Sequence, residues 1–166
     1  MTEAAAKDSI SECSQIAKGL YLEGLAVDQK RNLVWCSDVI AGGVRGISPD
    51  GSVVFTLNPS RMWTGGVMMN HDGAVLSSGP GGIMWNHPER GTSGWLVNND
   101  NGTPLVGVNE MVPDGNGGIY FGTVDVEQIE KGEATRPASL YHLSVRRELR
   151  LVAGPLGFAN GLMRSP

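Results

Sequence analysis

The sequence is poor in cysteine and in long apolar runs. Only two of its 166 residues are cysteines, Cys13 and Cys36, too few for a disulfide framework, and neither has a histidine placed to serve as its base. No run approaches the roughly 18 apolar residues that cross a bilayer, and the first residues carry no apolar stretch behind a basic start. We therefore expect a cytoplasmic protein with no membrane partner, in which Cys36 is a small buried hydrophobe.

Charge is also scarce, and the basic residues are scattered. The chain holds 13 Lys and Arg against 17 Asp and Glu, for a net charge of -4. This composition excludes the basic stripe of a nucleic-acid-binding protein, so we expect no nucleic-acid partner. Hydrophobic residues at 40% and charged residues at 18% are typical of a globular chain that buries a core.

Turn-forming residues are abundant, with 24 glycines and 9 prolines. They separate short strands, and residues 108–123 read as a β-hairpin with a Pro-Asp-Gly turn. The same pattern precedes it at residues 23–36 and 65–76, and the turn aspartates at positions 28, 72 and 114 are 44 and 42 residues apart. A repeat of this length with several strands indicates the blades of a β-propeller.

We therefore predict an all-β chain that forms about three and a half blades of a propeller. The predicted blades span about residues 20–58, 64–98 and 108–154, and a fourth begins at residues 159–166. Because propellers close with about four to eight blades, an open set would leave strand edges and apolar faces uncovered. We expect this chain to be the N-terminal part of a propeller that is closed by missing C-terminal blades or by a second chain.

Three polar residues open the innermost strands of their blades, namely Glu23, Asn109 and Asn160. Innermost strands begin at the same mouth of the central channel, so these side chains are expected to converge. One carboxylate and two amide oxygens suit one divalent cation, with calcium or magnesium favoured and manganese or zinc as alternatives. The alternative interpretation is that they are turn residues that contact only water.

The motifs around these residues resemble a known family. They are E-G-x-x-x-D at residues 23–28, N-E-x-x-x-D-x-x-G-x-x-Y-F-G-T at residues 109–123, and A-N-G-L at residues 159–162. The family is that of senescence marker protein, gluconolactonase and luciferin-regenerating enzyme, whose members are six-bladed propellers with one divalent metal in the channel mouth. The resemblance runs from about residue 20 to residue 166.

This resemblance implies a metal-dependent hydrolase of a lactone or related ester. Glu23, Asn109 and Asn160 would be metal ligands, and Glu127 would contact the substrate. A fourth ligand, an aspartate that also serves as or assists the general base, is expected beyond Pro166. The bound cation would polarise the ester carbonyl.

Two departures from the family pattern bear on the substrate. Sugar-lactonase members carry an arginine and an aspartate where this chain has Gly107 and Glu110, so a polar sugar lactone fits poorly. We place Glu110 and Trp63 at the substrate pocket, where Trp63 would favour a more apolar ester or lactone. Ordinary packing between blades is the alternative for Trp63.

Two other functions are compatible with the pattern. One is a non-catalytic binding or scaffold propeller with a structural calcium, and the other is a strictosidine-synthase-like enzyme. The insert at residues 125–137 carries further acidic residues, and we interpret Glu130 and Glu133 as members of a solvated loop.

Overall fold

The computed structural model describes residues 14–163 and residue 165, so Cys13 and part of the predicted fourth blade lie outside the described residues. Three four-stranded sheets contain most of the strands. The first holds β1 (Leu22–Asp28), β2 (Leu33–Asp38), β3 (Val44–Ile47) and β4 (Val53–Leu57). The second holds β5 (Val67–Met69), β6 (Val75–Gly79), β7 (Gly82–His87) and β8 (Thr92–Val97).

A short hairpin, β9 (Asn99–Asp100) and β10 (Thr103–Pro104), leads to the third sheet. That sheet holds β11 (Val108–Pro113), β12 (Ile119–Thr123), β13 (Ala138–Leu143) and β14 (Leu149–Leu156). In all three sheets each strand pairs with the next one in sequence, antiparallel throughout. The predicted all-β architecture of consecutive four-stranded blades is therefore confirmed.

The predicted turn aspartates hold the first hairpin of each sheet. Oδ1 of Asp28 accepts the N–H of Arg31 at 3.1 Å, and Oδ1 of Asp72 accepts that of Ala74 at 2.9 Å. Oδ1 of Asp114 accepts the N–H of Gly118 at 2.9 Å. A short acidic side chain that bonds backbone a few residues ahead closes a tight turn, which explains why the aspartates repeat.

Apolar side chains fill the space between neighbouring sheets. One buried cluster contains Leu33, Trp35, Val44, Val67 and Val75, and joins the first two sheets. A second cluster joins the second and third sheets and contains Leu76, Ile83, Val97, Leu105, Val108, Ile119, Phe121 and Leu143. Cys36 is 4% exposed, and burial raises the pKa of its thiol, in agreement with its predicted role as a small hydrophobe.

Two of the three innermost strands, β1 and β11, share an irregularity at their beginning. Leu22 pairs with Asp38 and Leu25 with Cys36, so β1 contains one more residue than β2 over this stretch. β11 has the same kind of bulge against β12, between Val108 and Met111. Such bulges redirect side chains, and here the redirected positions include Glu23 and Asn109.

Buried serines fix these bulges to the next sheet. Ser37 Oγ accepts the N–H of Gly24 at 2.7 Å and donates to the carbonyl of Gly65, on the second sheet, at 2.6 Å. Ser78 Oγ donates in the same way to the carbonyl of Asn109, on the third sheet. The hydroxyls thus lock the strand beginnings of adjacent blades to one another.

The third sheet makes the corresponding contact without a hydroxyl. Gly122 lies where Ser37 and Ser78 lie in the first two sheets, and a Cβ built at Gly122 would be 2.5 Å from the Cβ of Ala159. Ala159 is buried at 6% exposure, so the chain beyond β14 returns directly over this glycine. That return places the adjacent residue, Asn160, beside β11.

Candidate functional site

A cavity of about 150 Å³ lies where the innermost strands begin. The three blades contribute Glu23, Gly65 and Asn109 to its lining, and the segment after β14 contributes Asn160. The other lining residues are Tyr21, Val39, Trp63, Val108, Val124, Val126, Ile129 and Phe158. The structure therefore brings the three predicted ligand residues, and Trp63, to one cavity.

The two asparagines are held against each other. Asn109 Nδ2 donates to Asn160 Oδ1 at 3.1 Å and to the Ala159 carbonyl at 3.3 Å. With its nitrogen turned to this segment, Asn109 presents Oδ1 toward Gly65, where a Cβ would lie 3.5 Å away. Because position 65 has no side chain, the space beside this oxygen stays open.

Glu23 is the acidic member of the site. The side chain is partly buried, and burial, together with the negative charge of Glu110, raises the pKa of the Glu23 carboxyl above its usual value. Both causes disfavour the ionised carboxylate, and a nearby cation would relieve both. Glu110 thus acts on the site electrostatically, from the bulge of β11 next to Asn109.

The donor set fits a hard divalent cation. One carboxylate and two amide oxygens are the ligand types that calcium and magnesium take in proteins. No cluster of three or more His, Cys, Asp or Glu side chains suitable for a metal exists among the described residues, so any cation here would depend on the two amides. The open space beside Asn109 Oδ1 and the raised pKa of Glu23 agree with that use.

A short helix that the sequence did not predict forms one wall of the cavity. The segment expected to be a loop contains α1 (Val126–Lys131), which ends at Gly132 with φ of 65°. Val126 and Ile129 line the cavity from one face of this helix. The sequence contained two signals of this helix: the i, i+3 spacing of Val126 and Ile129, and the i, i+4 spacing of Glu127 and Lys131.

The acidic side chains of α1 have different surroundings. Glu127 is exposed, pairs with Lys131 at 2.6 Å, and is not among the residues that line the cavity. Lys131 lowers the pKa of the Glu127 carboxyl. Glu130, interpreted from sequence as a solvated residue, accepts a hydrogen bond from Nε1 of Trp63.

Comparison with known proteins identifies the class of the molecule. Residues 14–166 match the family described as SMP-30/Gluconolactonase/LRE-like region, and the chain belongs to this family. None of the curated proteins compared with the chain matches it at a significant level. The family suggested by the three sequence motifs is therefore confirmed.

Solved structures of the family share the fold. A gluconolactonase from Xanthomonas campestris superposes with a TM-score of 0.69 at 20% identity, over 82% of this chain and 48% of that chain. A luciferin-regenerating enzyme superposes with a TM-score of 0.69 at 16% identity, over 87% of this chain and 48% of that chain. Regucalcin from Agrobacterium tumefaciens is described as a calcium-binding protein. It superposes with a TM-score of 0.60 at 14% identity, over 82% of this chain and 44% of that chain. The chain thus spans about half the length of these propellers.

No helix in the part of the chain that the structure describes is long and apolar enough to cross a membrane.

Proposed function

We propose that this chain carries part of the active site of a metal-dependent hydrolase that opens a lactone or a related ester. The observation that supports the proposal best is the convergence of Glu23, Asn109 and Asn160 on one cavity. Membership of a family named for gluconolactonase, and the resemblance to a calcium-binding regucalcin, agree with it. We expect a cytoplasmic protein whose partner is a small molecule.

In this proposal each polar residue has a defined task. Glu23 supplies the charged ligand, and Asn109 and Asn160 supply neutral amide oxygens. A bound divalent cation, with calcium as the first candidate, would polarise the carbonyl of the ester and stabilise the developing oxyanion. Glu127 is proposed to contact the substrate after its exposed side chain leaves Lys131. The general base is the aspartate expected beyond Pro166.

The two asparagine side chains are neutral, so they would supply oriented oxygen ligands to the cation rather than charge. Asn109 is fixed at its backbone by Ser78 Oγ and by the N–H of Gly66, which bonds its carbonyl at 3.0 Å. Its side chain is fixed by Asn160 and Ala159. Preorganised oxygens bind a cation without further loss of side-chain freedom, whereas free side chains would have to be ordered on binding.

Binding of terbium(III), which replaces calcium at oxygen sites and luminesces when a nearby tryptophan is excited, tests the site. Trp63 lines the cavity and can act as the sensitiser. We expect saturable luminescence that calcium displaces, and at least a tenfold weaker affinity in Glu23→Gln, since Glu23 is the one anionic ligand proposed among the described residues. Glu133→Gln, which removes an exposed carboxylate, is the matched control.

Hydrolysis of a panel of lactones and esters, assayed on the chain extended through the missing blades, completes the test. This chain alone is expected to be inactive, because the general base is expected beyond Pro166. Turnover that requires a divalent cation and is lost in Glu23→Gln supports the hydrolase. Cation binding that is unchanged in Glu23→Gln would refute the proposed site. Cation binding that depends on Glu23 but never accompanies hydrolysis would favour the alternative of a binding propeller with a structural calcium.

A further inference from the structure

The cavity has a polar end and an apolar wall. The oxygens of Glu23, Asn109 and Asn160 and the phenol of Tyr21 are polar groups, whereas Trp63, Val126, Ile129 and Phe158 present apolar surface. We infer that this wall binds an apolar substituent of the substrate, that Trp63 is its specificity-determining residue, and that Glu130 is the positioning residue for Trp63. The inference rests on the proposed function and deepens it by naming a substrate class.

Trp63 is held in an unusual conformation. Its φ of 57° lies in the left-handed region that bulky residues rarely adopt. Two contacts retain it there: its backbone N–H donates to the carbonyl of Val39 at 2.6 Å, and its indole N–H donates to the Glu130 carboxylate. A backbone conformation of this kind persists only where the surroundings fix it, and it often marks a ligand site.

The hydrogen bond to Glu130 connects the loop before β5 to α1, and both segments contribute residues to the lining of the cavity. Trp63 lies in the loop between β4 and β5, and Glu130 lies on α1, which follows β12. The partners are 67 residues apart in sequence. Trp63 and Ile129 both line the cavity, so this hydrogen bond holds the indole near the helix that supplies the apolar lining residues Val126 and Ile129.

The dimensions and polarity of the cavity limit the ligand. A cavity of about 150 Å³ holds roughly one six-membered ring. None of the lining residues that the structure describes is a lysine or an arginine, and apart from the three oxygen-bearing residues only Tyr21 and the indole of Trp63 carry polar side-chain atoms. Hydroxyl groups placed against Val126 and Ile129 would lose their hydrogen bonds to water without replacement. A lactone with an alkyl or aryl substituent avoids this loss.

Binding of an inert analogue separates this inference from catalysis. Calorimetry would compare a six-membered lactam with a short alkyl substituent against its polyhydroxylated counterpart, with and without calcium. We expect the alkyl lactam to bind at least tenfold more tightly. Trp63→Ala should weaken its binding about tenfold, whereas Trp63→Phe, which keeps an aromatic ring, should lose much less.

The role of Glu130 is tested by rescue and by coupling. Glu130→Ala should weaken binding of the alkyl lactam three- to tenfold, and Glu130→Gln should restore it, since the amide oxygen still accepts the indole N–H. In the Trp63→Phe background Glu130→Ala should have no further effect, because the N–H is already gone. Glu133→Ala is the control on the same exposed segment, and circular dichroism verifies that each variant is folded.

Several results would overturn the inference. They are equal affinity for the two lactams, tighter binding of the polyhydroxylated one, or an effect of Glu130→Ala that persists unchanged in Trp63→Phe. If the proposed function is wrong instead, the preference for the alkyl lactam would remain, but neither terbium binding nor hydrolysis would depend on Glu23.

Discussion

Asp38 is a buried carboxylate that supports the site without lining the cavity. It is 1% exposed, and its oxygens accept the N–H groups of Leu20 at 2.9 Å and Tyr21 at 3.1 Å, immediately before β1. It also accepts the N–H groups of Ile40 at 3.3 Å and Ala41 at 2.9 Å. Burial alone would disfavour the charge, but these backbone donors outweigh it and lower the pKa of Asp38. The approach of the chain to Glu23 therefore depends on this anion.

Replacing Asp38 with asparagine should lower the free energy of unfolding by about 2 kcal/mol at neutral pH, because an NH2 group would face backbone donors. The pKa is depressed in the folded state, so the carboxylate stabilises the fold above its unfolded pKa of about 4. That contribution is lost as the pH falls through the folded pKa. Urea unfolding should therefore show a difference between wild type and variant that shrinks below about pH 4.

Glu133→Gln is the control for this prediction, since the Glu133 side chain is exposed. A difference between wild type and Asp38→Asn that stays constant from neutral to acidic pH would contradict the electrostatic account. It would indicate that the variant acts through altered packing.

At the scale of single residues, equivalent positions in a repeat could be found from sequence, whereas long-range pairs could not. Glu23 and Asn109 each precede a turn aspartate by the same spacing, so their approach to one cavity follows from the repeat. The pair of Trp63 and Glu130 has no such relation. It depends on where α1 is placed over the cavity, and no repeat carries that information.

At the scale of elements, the bulges and buried serines determine where the strands begin. Ser37 is fully buried and satisfies both the N–H of Gly24 and the carbonyl of Gly65. Ser37→Ala leaves this buried donor and this buried acceptor unpaired, and should lower the free energy of unfolding by about 2 kcal/mol. Ser78→Ala should cost about 1 kcal/mol and, in addition, weaken terbium binding, because Ser78 holds the backbone of Asn109.

Urea unfolding monitored by circular dichroism measures both serine variants, with Ser93→Ala as an exposed control on β8. If Ser78→Ala leaves terbium binding unchanged, the link between Ser78 and Asn109 is refuted. If neither variant changes stability, the hydroxyls do not tie the blades together.

The elements themselves differ in how well the sequence predicts them. Strands bounded by Gly, Asp and Asn turns repeat at a fixed period, and their existence was predicted correctly. The helix α1 was missed because its six residues, Val126–Lys131, are too few to establish a period and lie among acidic and turn residues. The bulges were missed because an extra residue in one strand becomes visible only against its partner.

At the scale of the whole molecule, three sheets are joined by contacts that cross from blade to blade. Arg31, beside β1, forms an ion pair with Glu89 on the second sheet at 2.6 Å. Tyr141 Oη donates to Asp100 at 3.3 Å, and Arg147 donates to the carbonyl of Leu96 at 3.0 Å. The propeller class followed from the repeat, but these side-chain connections depend on the angle between sheets, which the sequence pattern does not specify.

Arg61 is the strongest of these connections. Its backbone carbonyl accepts the N–H of Gly43 in the first sheet at 2.9 Å. Its guanidinium donates to four carbonyls of the second blade, those of Ser77 at 3.1 Å, Ser78 at 3.4 Å, Pro80 at 3.0 Å and Gly82 at 2.8 Å. The group also lies 5.3 Å from the ring centre of Trp95. Burial lowers its pKa to about 10, so it remains charged at neutral pH.

Arg61→Lys should lower the free energy of unfolding by about 3 kcal/mol, because an ammonium cannot reach all four carbonyls and does not reproduce the planar fork. Tryptophan fluorescence during urea unfolding reports on the first sheet in a variant that keeps only Trp35, and on the second sheet in a variant that keeps only Trp85. If the blades unfold as one unit, these probes should shift together in Arg61→Lys. Arg90→Lys, on the exposed surface, should leave the transition unchanged. A variant in which only the second sheet loses stability would show that Arg61 serves that sheet alone, and that the blades are held together by their apolar clusters.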